Sequence, residues 1–336
     1  MRIRFFNSIG AATLATLFVL PAQMPLAGQA RSAAGANSAA KVWNVPRTPD
    51  GQPDLQGIWT NATVTPLERP TELAGKQVFT EGEAAEYEKQ AVQRNNADRN
   101  RQDLTPQADV ARAYNDLWYD RGTKVVSTNQ TSLIVDPPDG RIPALTPEAV
   151  QRQAAAAAAD RAKGVDVTST GLYTRCITGN GGPPRVPGGV TAESEIVQTP
   201  GYVVIVIQAN NDARIIPLNG SPHLPQSVGL WLGDARGHWE GNTLVVETTN
   251  FHKDRNWRGS RDGMKLVERF TLVGPKTLRY EFTVSDPTTW TKPWSIDSLL
   301  PKIDAPIYEF ACHEQNYGLI NWAIGSQIRE AEAGRR

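Results

Sequence analysis

The second half of the chain alternates apolar and polar residues with a period of two, which is typical of β-strands. In Leu266–Leu272, this alternation places Glu268 on the same face as three large apolar side chains. The next such segment, Thr277–Val284, has Tyr280 on its apolar face. A buried carboxylate beside a tyrosine is costly unless it has a partner. The pattern therefore predicts that Glu268 meets a partner or a ligand in the interior.

Strand patterns of this kind mark about eight segments, most of them separated by short or modest turns. Long helices do not alternate with these strands, so a parallel α/β sheet is not expected. We predict a mainly β fold, an antiparallel, lipocalin-like β-barrel, because closure removes exposed edges and the mouth can hold a small ligand. A two-sheet sandwich is the alternative. The segments are Thr131–Asp136, Glu195–Gln198, Tyr202–Gln208, Ala213–Leu218, Thr243–Thr249, Leu266–Val273, Thr277–Val284 and Ile307–Cys312.

Helices are predicted as inserts, and an extended arm precedes them. From Trp43 to Pro70, prolines and turn residues alternate with apolar residues, which indicates an arm lying over a core. The sequence Thr80-Glu81-Gly82-Glu83 fits a capping box and predicts a helix near residues 80–96. The pair Thr146-Pro147 offers an N-cap followed by proline at the first helical position, which predicts a helix near residues 147–163.

The start of the chain has the three parts of a secretory signal: a basic stretch, a short apolar stretch and a run of small residues. We predict a signal peptide over residues 1–30, a flexible tether over residues 31–42 and a single domain over residues 43–336. An uncleaved membrane anchor or a disordered N-terminus is the alternative. No later segment is long and apolar enough to span a bilayer. A periplasmic or secreted protein, not bound to a membrane after signal removal, is therefore expected.

The net charge and the cysteines bear on the partners of the protein and on a possible disulfide. Lys and Arg together number 35, as do Asp and Glu, so nothing favours a nucleic-acid partner. The only cysteines are Cys176 and Cys312. In an oxidising compartment two cysteines often pair, and a disulfide between them is predicted. The alternative is two small buried thiols that never meet.

Several well-known motifs are missing from the sequence. The glycine-rich segment Gly179–Gly189 lacks the lysine and hydroxyl of a P-loop, and no Gly-x-Ser-x-Gly occurs. The 4 histidines do not have the spacing of a zinc motif. We therefore predict neither a metal nor a cofactor. The segment Gly179–Gly189 is interpreted as a long loop or lid over a mouth.

Charged side chains at strand ends are candidates for a rim or interior site. Arg214 shares a strand face with Asp212, so it could pair with that aspartate or bind a ligand carboxylate in bidentate fashion. Arg121, which precedes another predicted strand, could likewise form a structural ion pair or bind a ligand carboxylate. His313 lies beside Cys312 where polar residues are dense, and it is the histidine we would choose if one is catalytic. A structural or surface role is the ordinary interpretation of each histidine.

Three segments resemble a widespread set of exported bacterial proteins: Gly237–Val246, Tyr280–Trp290 and Tyr308–Tyr317. The resemblance covers the chain from about Trp43 onward, and it implies a shared fold and export without supplying catalytic residues. A looser likeness is to phenolic acid decarboxylases, which are lipocalin-type barrels that use Arg, Tyr and Glu without any cofactor. That likeness is one of fold, and fold alone does not fix function.

These observations predict a cofactor-independent lyase of the decarboxylase type, acting on a small aromatic or phenolic acid held in the barrel. An arginine would hold the acid group, a tyrosine would stabilise charge on a phenolic oxygen, and a glutamate or histidine would move the proton. The alternatives are a non-catalytic periplasmic carrier of a small apolar or aromatic ligand and a hydrolase with carboxylate-activated water. The candidate residues are Glu268, His313 and Tyr280 for catalysis, and Arg121, Arg214 and Tyr308 for substrate binding.

Overall fold

The fold is described from a computed structural model of the chain. The described residues are 43–96, 120–162, 170–178, 182–188, 191–314 and 316–334. The predicted signal peptide and tether, residues 1–42, lie outside these ranges.

The strands and helices follow one another in chain order with most of the strands in the second half. The strands are β1 Gly57–Thr60, β2 Ile134–Asp136, β3 Glu193–Thr199, β4 Tyr202–Ile207, β5 Asp212–Pro217, β6 Asp234–Glu240, β7 Thr243–Thr249, β8 Lys265–Gly274, β9 Thr277–Ser285 and β10 Trp294–Ile303. The α-helices are α1 Glu81–Asn95, α2 Pro147–Ala162 and α3 Tyr317–Ala333, with short 3₁₀ turns at Thr71–Leu73 and Ala209–Asn211.

Nine of these strands form one antiparallel sheet that curls into a nearly closed barrel, so the predicted fold class is confirmed. Their order is β5-β4-β3-β1-β10-β9-β8-β7-β6, and β2 pairs with β10 off this path. Most neighbours are joined by hairpins, as in β3–β4 and β8–β9. The exception is β1, which lies between β3 and β10 and so connects the two runs of hairpins.

The barrel is completed at a seam where β5 and β6, the two ends of the sheet, lie side by side. Gly237 of β6 faces this seam. A Cβ atom at this position would lie 2.7 Å from Cδ2 of Leu218 and 2.8 Å from Cγ2 of Ile216. The missing side chain therefore leaves room for the side chains of β5 and the residue after it. Apolar packing at this point brings the two ends of the sheet together.

The period-two pattern of β8 and β9 is reproduced in the barrel. Phe270 pairs with Tyr280 across the two strands, and Glu268 pairs with Phe282. All four side chains are buried. The inward face thus carries large apolar groups together with one carboxylate and one phenol, as the alternation predicts.

Part of the predicted N-terminal arm is a strand of the barrel itself. Gly57–Thr60 pairs with β3 on one side and β10 on the other. Trp59 is 1% exposed, and its indole N–H donates to the carbonyl of Leu55 at 3.0 Å. A strand of four residues among prolines gives too short a pattern to be recognised from alternation.

The last predicted strand is wrong, and the strand that closes this part of the barrel went unpredicted. Residues 307–312, all of them described, form no strand, whereas Trp294–Ile303 forms the ten-residue strand β10. Pro301 weakens the strand signal of this segment, because proline lacks a ladder donor. In the structure Pro301 is opposite Thr277, at the last pair of the β9–β10 ladder. The alternation of buried residues from Trp294 to Leu300 was the stronger signal.

Both predicted helical inserts are present. Thr80 and Glu83 form the predicted capping box at the start of α1. The hydroxyl of Thr146 accepts from the N–H of Ala149 at 3.1 Å, so Thr146 is the N-cap of α2. Helix α3 was not predicted. No helix within the described part of the chain is long and apolar enough to cross a membrane.

The predicted disulfide between Cys176 and Cys312 is confirmed, with an S–S distance of 2.07 Å and a Cα–Cα distance of 5.8 Å. It joins two segments that are 136 residues apart in sequence. Asn316 reinforces the link, because its side-chain amide donates to the carbonyl of Thr174 at 2.8 Å. The segment that leads into α3 is therefore fixed to residues 173–176.

Candidate functional site

The centre of the barrel holds an ion pair that is fully removed from solvent. The guanidinium of Arg214 on β5 donates through Nη1 to Oε1 of Glu268 at 3.0 Å and through Nη2 to Oε2 at 2.5 Å. The side chains are 2% and 0% exposed, respectively. Nη2 also donates to the hydroxyl of Thr248 at 3.3 Å. This bidentate geometry is the strongest form of an arginine–carboxylate contact.

Tyr280 extends the pair into a chain of hydrogen bonds. Its hydroxyl donates to Oε1 of Glu268 at 2.8 Å and accepts from the backbone N–H of Arg185 at 3.0 Å. Complete burial, and then the negative charge of Glu268, raise the pKa of Tyr280 well above its usual value. The phenol is therefore neutral at physiological pH, and it can act in this site as a hydrogen-bond donor.

Arg185 brings a second buried guanidinium to the cavity. It donates to the carbonyl of Ala192 at 2.6 Å and to Oδ1 of Asn61 at 3.4 Å. Burial lowers the pKa of Arg185 to about 10, and the charge of Glu193 opposes this effect. The pKa of Glu193 is itself raised, first by burial and then by a hydrogen bond with Asp120. Arg185 thus has one acidic group, Glu193, within electrostatic reach.

Arg255 is the third buried arginine of this cluster, 6% exposed. Its guanidinium lies 4.4 Å from the centre of the Phe251 ring, and Nη2 donates to the carbonyl of Pro183. Burial lowers its pKa to about 10, the nearby charge of Arg214 adds to the effect, and Glu268 opposes it. One carboxylate, Glu268, therefore lies close to two buried arginines.

A small cavity adjoins the Arg214–Tyr280 chain. Its volume is about 20 Å³, which is enough for roughly one water molecule. Most of the wall is apolar, and the polar lining comes chiefly from arginine, serine and tyrosine. The lining residues are Trp59, Arg185, Ser194, Ile196, Ile205, Arg214, Phe270, Leu278, Tyr280 and Leu300.

Arg121 lies at a different place from the other predicted arginine. It lines an outer cleft of about 280 Å³ together with Tyr87 and Arg94 of α1 and with Pro187 and Gly188. The guanidinium of Arg94 lies 5.5 Å from the centre of the Tyr87 ring. The segment 182–188 therefore contributes to both spaces, through Arg185 to the inner cavity and through its last two residues to the outer cleft.

Tyr308 and His313 lie away from the barrel cavity, in the segment before α3. Tyr308 is 65% exposed, and His313 is exposed in a turn. Asn211 holds this segment, because its side-chain amide exchanges two hydrogen bonds of 3.2 Å with the backbone of Phe310. The roles predicted for Tyr308 and His313 stay predictions, and neither residue lines the cavity beside Arg214 and Tyr280.

The structure brings together three of the six predicted site residues: Arg214, Glu268 and Tyr280. Sequence reasoning missed Arg185 and Arg255. Arg185 could have been noticed, since it is the only charged residue in the glycine- and proline-rich segment 179–189. Arg255 follows β7 in a polar stretch, and nothing in its local pattern indicates burial. Within the described ranges, no group of three or more His, Cys, Asp and Glu side chains is arranged to hold a metal ion.

Comparison of the chain with models of protein families, with curated proteins and with solved structures finds no match. The barrel and the geometry of its interior therefore carry the functional argument.

Proposed function

We propose that the protein is a cofactor-independent lyase that removes the carboxyl group of a small aromatic or phenolic acid inside the barrel. The observation that supports this best is the buried chain Arg214–Glu268–Tyr280 beside an apolar-walled cavity. Such a chain joins a cation, a proton-transfer group and a phenol donor in a site shielded from water. Electrostatic stabilisation and proton transfer are both strengthened under those conditions.

In the proposed reaction the bond between the carboxyl carbon and its neighbour breaks, and carbon dioxide leaves. The electron pair remains on the neighbouring carbon, which then takes up a proton. Glu268 is proposed to take the proton of the substrate's phenolic hydroxyl and to deliver it to this carbon, so that the product leaves as a phenolate. Tyr280, kept neutral by its raised pKa, donates a hydrogen bond to the oxygen on which negative charge develops. No nucleophile, metal or nucleotide takes part in this scheme.

Binding of an aromatic acid requires a change at the cavity, because its volume of about 20 Å³ holds only a water molecule. The segment 182–188 is the element whose displacement would enlarge it, since the backbone of Arg185 contacts Tyr280. We therefore expect acids that are substrates to alter the protection of this segment against hydrogen exchange, while the amides around β9 stay protected.

The test is turnover of a panel of hydroxycinnamic and hydroxybenzoic acids, followed by loss of substrate and release of carbon dioxide. Glu268→Gln should reduce kcat by 100-fold or more per folded molecule, a typical loss for a proton-transfer residue. The matched control is Glu240→Gln, since Glu240 is exposed and paired with Arg269 at 2.8 Å. Full activity of folded Glu268→Gln on any acid that the wild type converts would refute the assignment.

A carrier that binds the acid without converting it is the second candidate. It is favoured by the hydrogen bonds of the proton-transfer groups, because both oxygens of Glu268 and the hydroxyl of Tyr280 already have partners in the protein. Saturable binding of an acid that the wild type never converts would identify a carrier. Conversion of the same acid would identify an enzyme.

We further propose that the protein is exported. The disulfide fits an oxidising compartment, and the basic and apolar start of the chain fits a signal peptide. Mass spectrometry of the protein from its native host should find a mature N-terminus near Arg31. An intact Met1 in a cytoplasmic fraction would contradict this proposal.

A further inference from the structure

Three buried arginines lie around one buried carboxylate, Glu268, in this part of the protein. Arg214 lies close enough to both Arg185 and Arg255 to affect them electrostatically. Arg214 is neutralised by the bidentate contact with Glu268. Arg185 has the carboxylate of Glu193 within electrostatic reach.

Arg255 is the arginine left without a carboxylate of its own. In the described part of the chain it makes no salt bridge, and the one acidic group that acts on it is Glu268, which already pairs with Arg214. Taking a guanidinium out of water without a counter-charge is expensive, so natural proteins rarely leave one in this state.

Two buried N–H groups of this cluster also lack acceptors. Nη1 of Arg255 and Nε of Arg214 make no hydrogen bond to any described residue. Both side chains are more than nine-tenths buried, at 6% and 4% exposure. A missing acceptor at each of two neighbouring guanidinium groups points to a ligand that accepts hydrogen bonds and carries negative charge.

The groups around Arg255 indicate the environment in which that ligand would lie. The ring of Phe251 lies on one side of the guanidinium. The segment that begins at Gly182 passes over it, and a Cβ atom there would lie 3.2 Å from Leu232 and 3.9 Å from Nη2 of Arg255. The charge is therefore enclosed by apolar groups and by backbone.

We propose that Arg255 is the residue that binds the acid group of the ligand, a monoanionic aromatic carboxylate, with Nε of Arg214 as a second donor. The planar carboxylate matches the guanidinium fork, and one negative charge balances Arg255, the arginine of this described cluster that makes no salt bridge. This inference deepens the proposed function and rests on it for the class of acid. It replaces Arg121 and the paired nitrogens of Arg214 as the groups that hold the carboxylate.

The test compares benzoate and 4-hydroxycinnamate with their neutral amides, at constant ionic strength, by thermal denaturation and calorimetry. Each acid should raise the melting temperature of the wild type, by about 5 to 10 °C at a hundredfold excess over Kd, and its amide should not. Arg255→Met should weaken acid binding about tenfold to a hundredfold, the loss expected for one charge-assisted contact.

The matched control is Arg258→Met. Arg258 also lies against an aromatic ring, 5.7 Å from the centre of Trp257, but it is exposed. Without ligand, Arg255→Met should melt at the same temperature as the wild type or higher, since it removes an unpaired buried charge. If Arg255→Met fails to fold, Arg255→Lys keeps the charge without the fork and should still lose most of the acid affinity.

The outcomes separate this inference from the lyase proposal. Acid binding that depends on Arg255, without turnover, supports the inference and refutes the lyase. Turnover with the same KM in Arg255→Met supports the lyase and overturns the inference. A wild-type protein that responds equally to the acids and their amides, or to neither, also overturns the inference.

Discussion

Removing the charge of Glu268 should strongly destabilise the barrel. Glu268→Gln leaves Arg214 with a neutral partner at a position that is 0% exposed. The amide of glutamine also points a donor at the guanidinium, where the carboxylate had two acceptors. Breaking a buried pair in this way costs about 3 to 5 kcal/mol. For a domain of this size that corresponds to a fall in melting temperature of about 6 to 20 °C.

A double-mutant cycle tests whether this cost comes from the orphaned charge. Arg214→Met alone leaves Glu268 unpaired and should cost about as much as Glu268→Met alone. The double variant replaces the pair with apolar groups of similar length, and it should lie within about 1 to 2 kcal/mol of the wild type. Urea unfolding at neutral pH measures all four free energies.

Two single substitutions that each cost less than about 1 kcal/mol, or effects that simply add in the double variant, would rule out a coupled ion pair. Either result would mean that the carboxylate and the guanidinium do not depend on each other. A strongly destabilised single variant with a nearly normal double variant confirms the pair.

Three further predictions concern the seam, the disulfide and the response to acid. Gly237→Val should destabilise the barrel by about 1 to 3 kcal/mol in urea unfolding, because the valine side chain would overlap Leu218 and Ile216. The control is Gly82→Ala, where nothing lies within 4 Å of the added Cβ atom, and its free energy of unfolding should be unchanged or higher. Replacing both Cys176 and Cys312 with serine should lower stability by up to about 5 kcal/mol, since the bond closes a loop with a sequence separation of 136, and an unchanged free energy of unfolding would refute this. Asp286 is buried; burial alone would raise its pKa, but hydrogen bonds from Ser260, Thr289 and Thr288 outweigh burial and lower it. The stability that Asp286 contributes is therefore present above its unfolded pKa and lost as the pH falls through the lowered folded value. Asp286→Asn should cost about 1 to 3 kcal/mol at neutral pH, with a difference from the wild type that shrinks below about pH 4; a difference independent of pH would contradict the assignment.

The alternation of residues was enough to predict the barrel and the inward position of Glu268, because a strand of seven to ten residues repeats its period several times. It was not enough for β1, which spans only Gly57–Thr60, and the strands β6 and β10 also went unpredicted. The segment 307–312 has the composition of a strand without a neighbour to pair with, and pairing is a property of the whole fold.

The site was only half predictable for a related reason. Glu268 and Tyr280 occupy adjacent strands, so their contact follows from local pattern and hairpin register. Arg214 reaches Glu268 from β5, which is far from β8 in the sheet, and the contact exists only because the sheet curls into a barrel. Arg185 and Arg255 come from segments outside the strands, and no periodic pattern indicates that such residues are buried.

The position of the ion pair gives it a part in closing the barrel as well as in building the site. Arg214 lies on β5, one end of the sheet, and Glu268 lies on β8, which is two strands from the other end. The pair therefore links strands on the two sides of the seam through the barrel interior. Gly237 and its apolar neighbours link the same two sides within the barrel wall. A purely structural role requires only that the interior be filled, and the apolar double variant fills it. If that variant folds and still binds the aromatic acid but no longer converts it, the pair serves the chemistry as well as the fold. If it folds and converts the acid normally, the ion pair only stabilises the barrel.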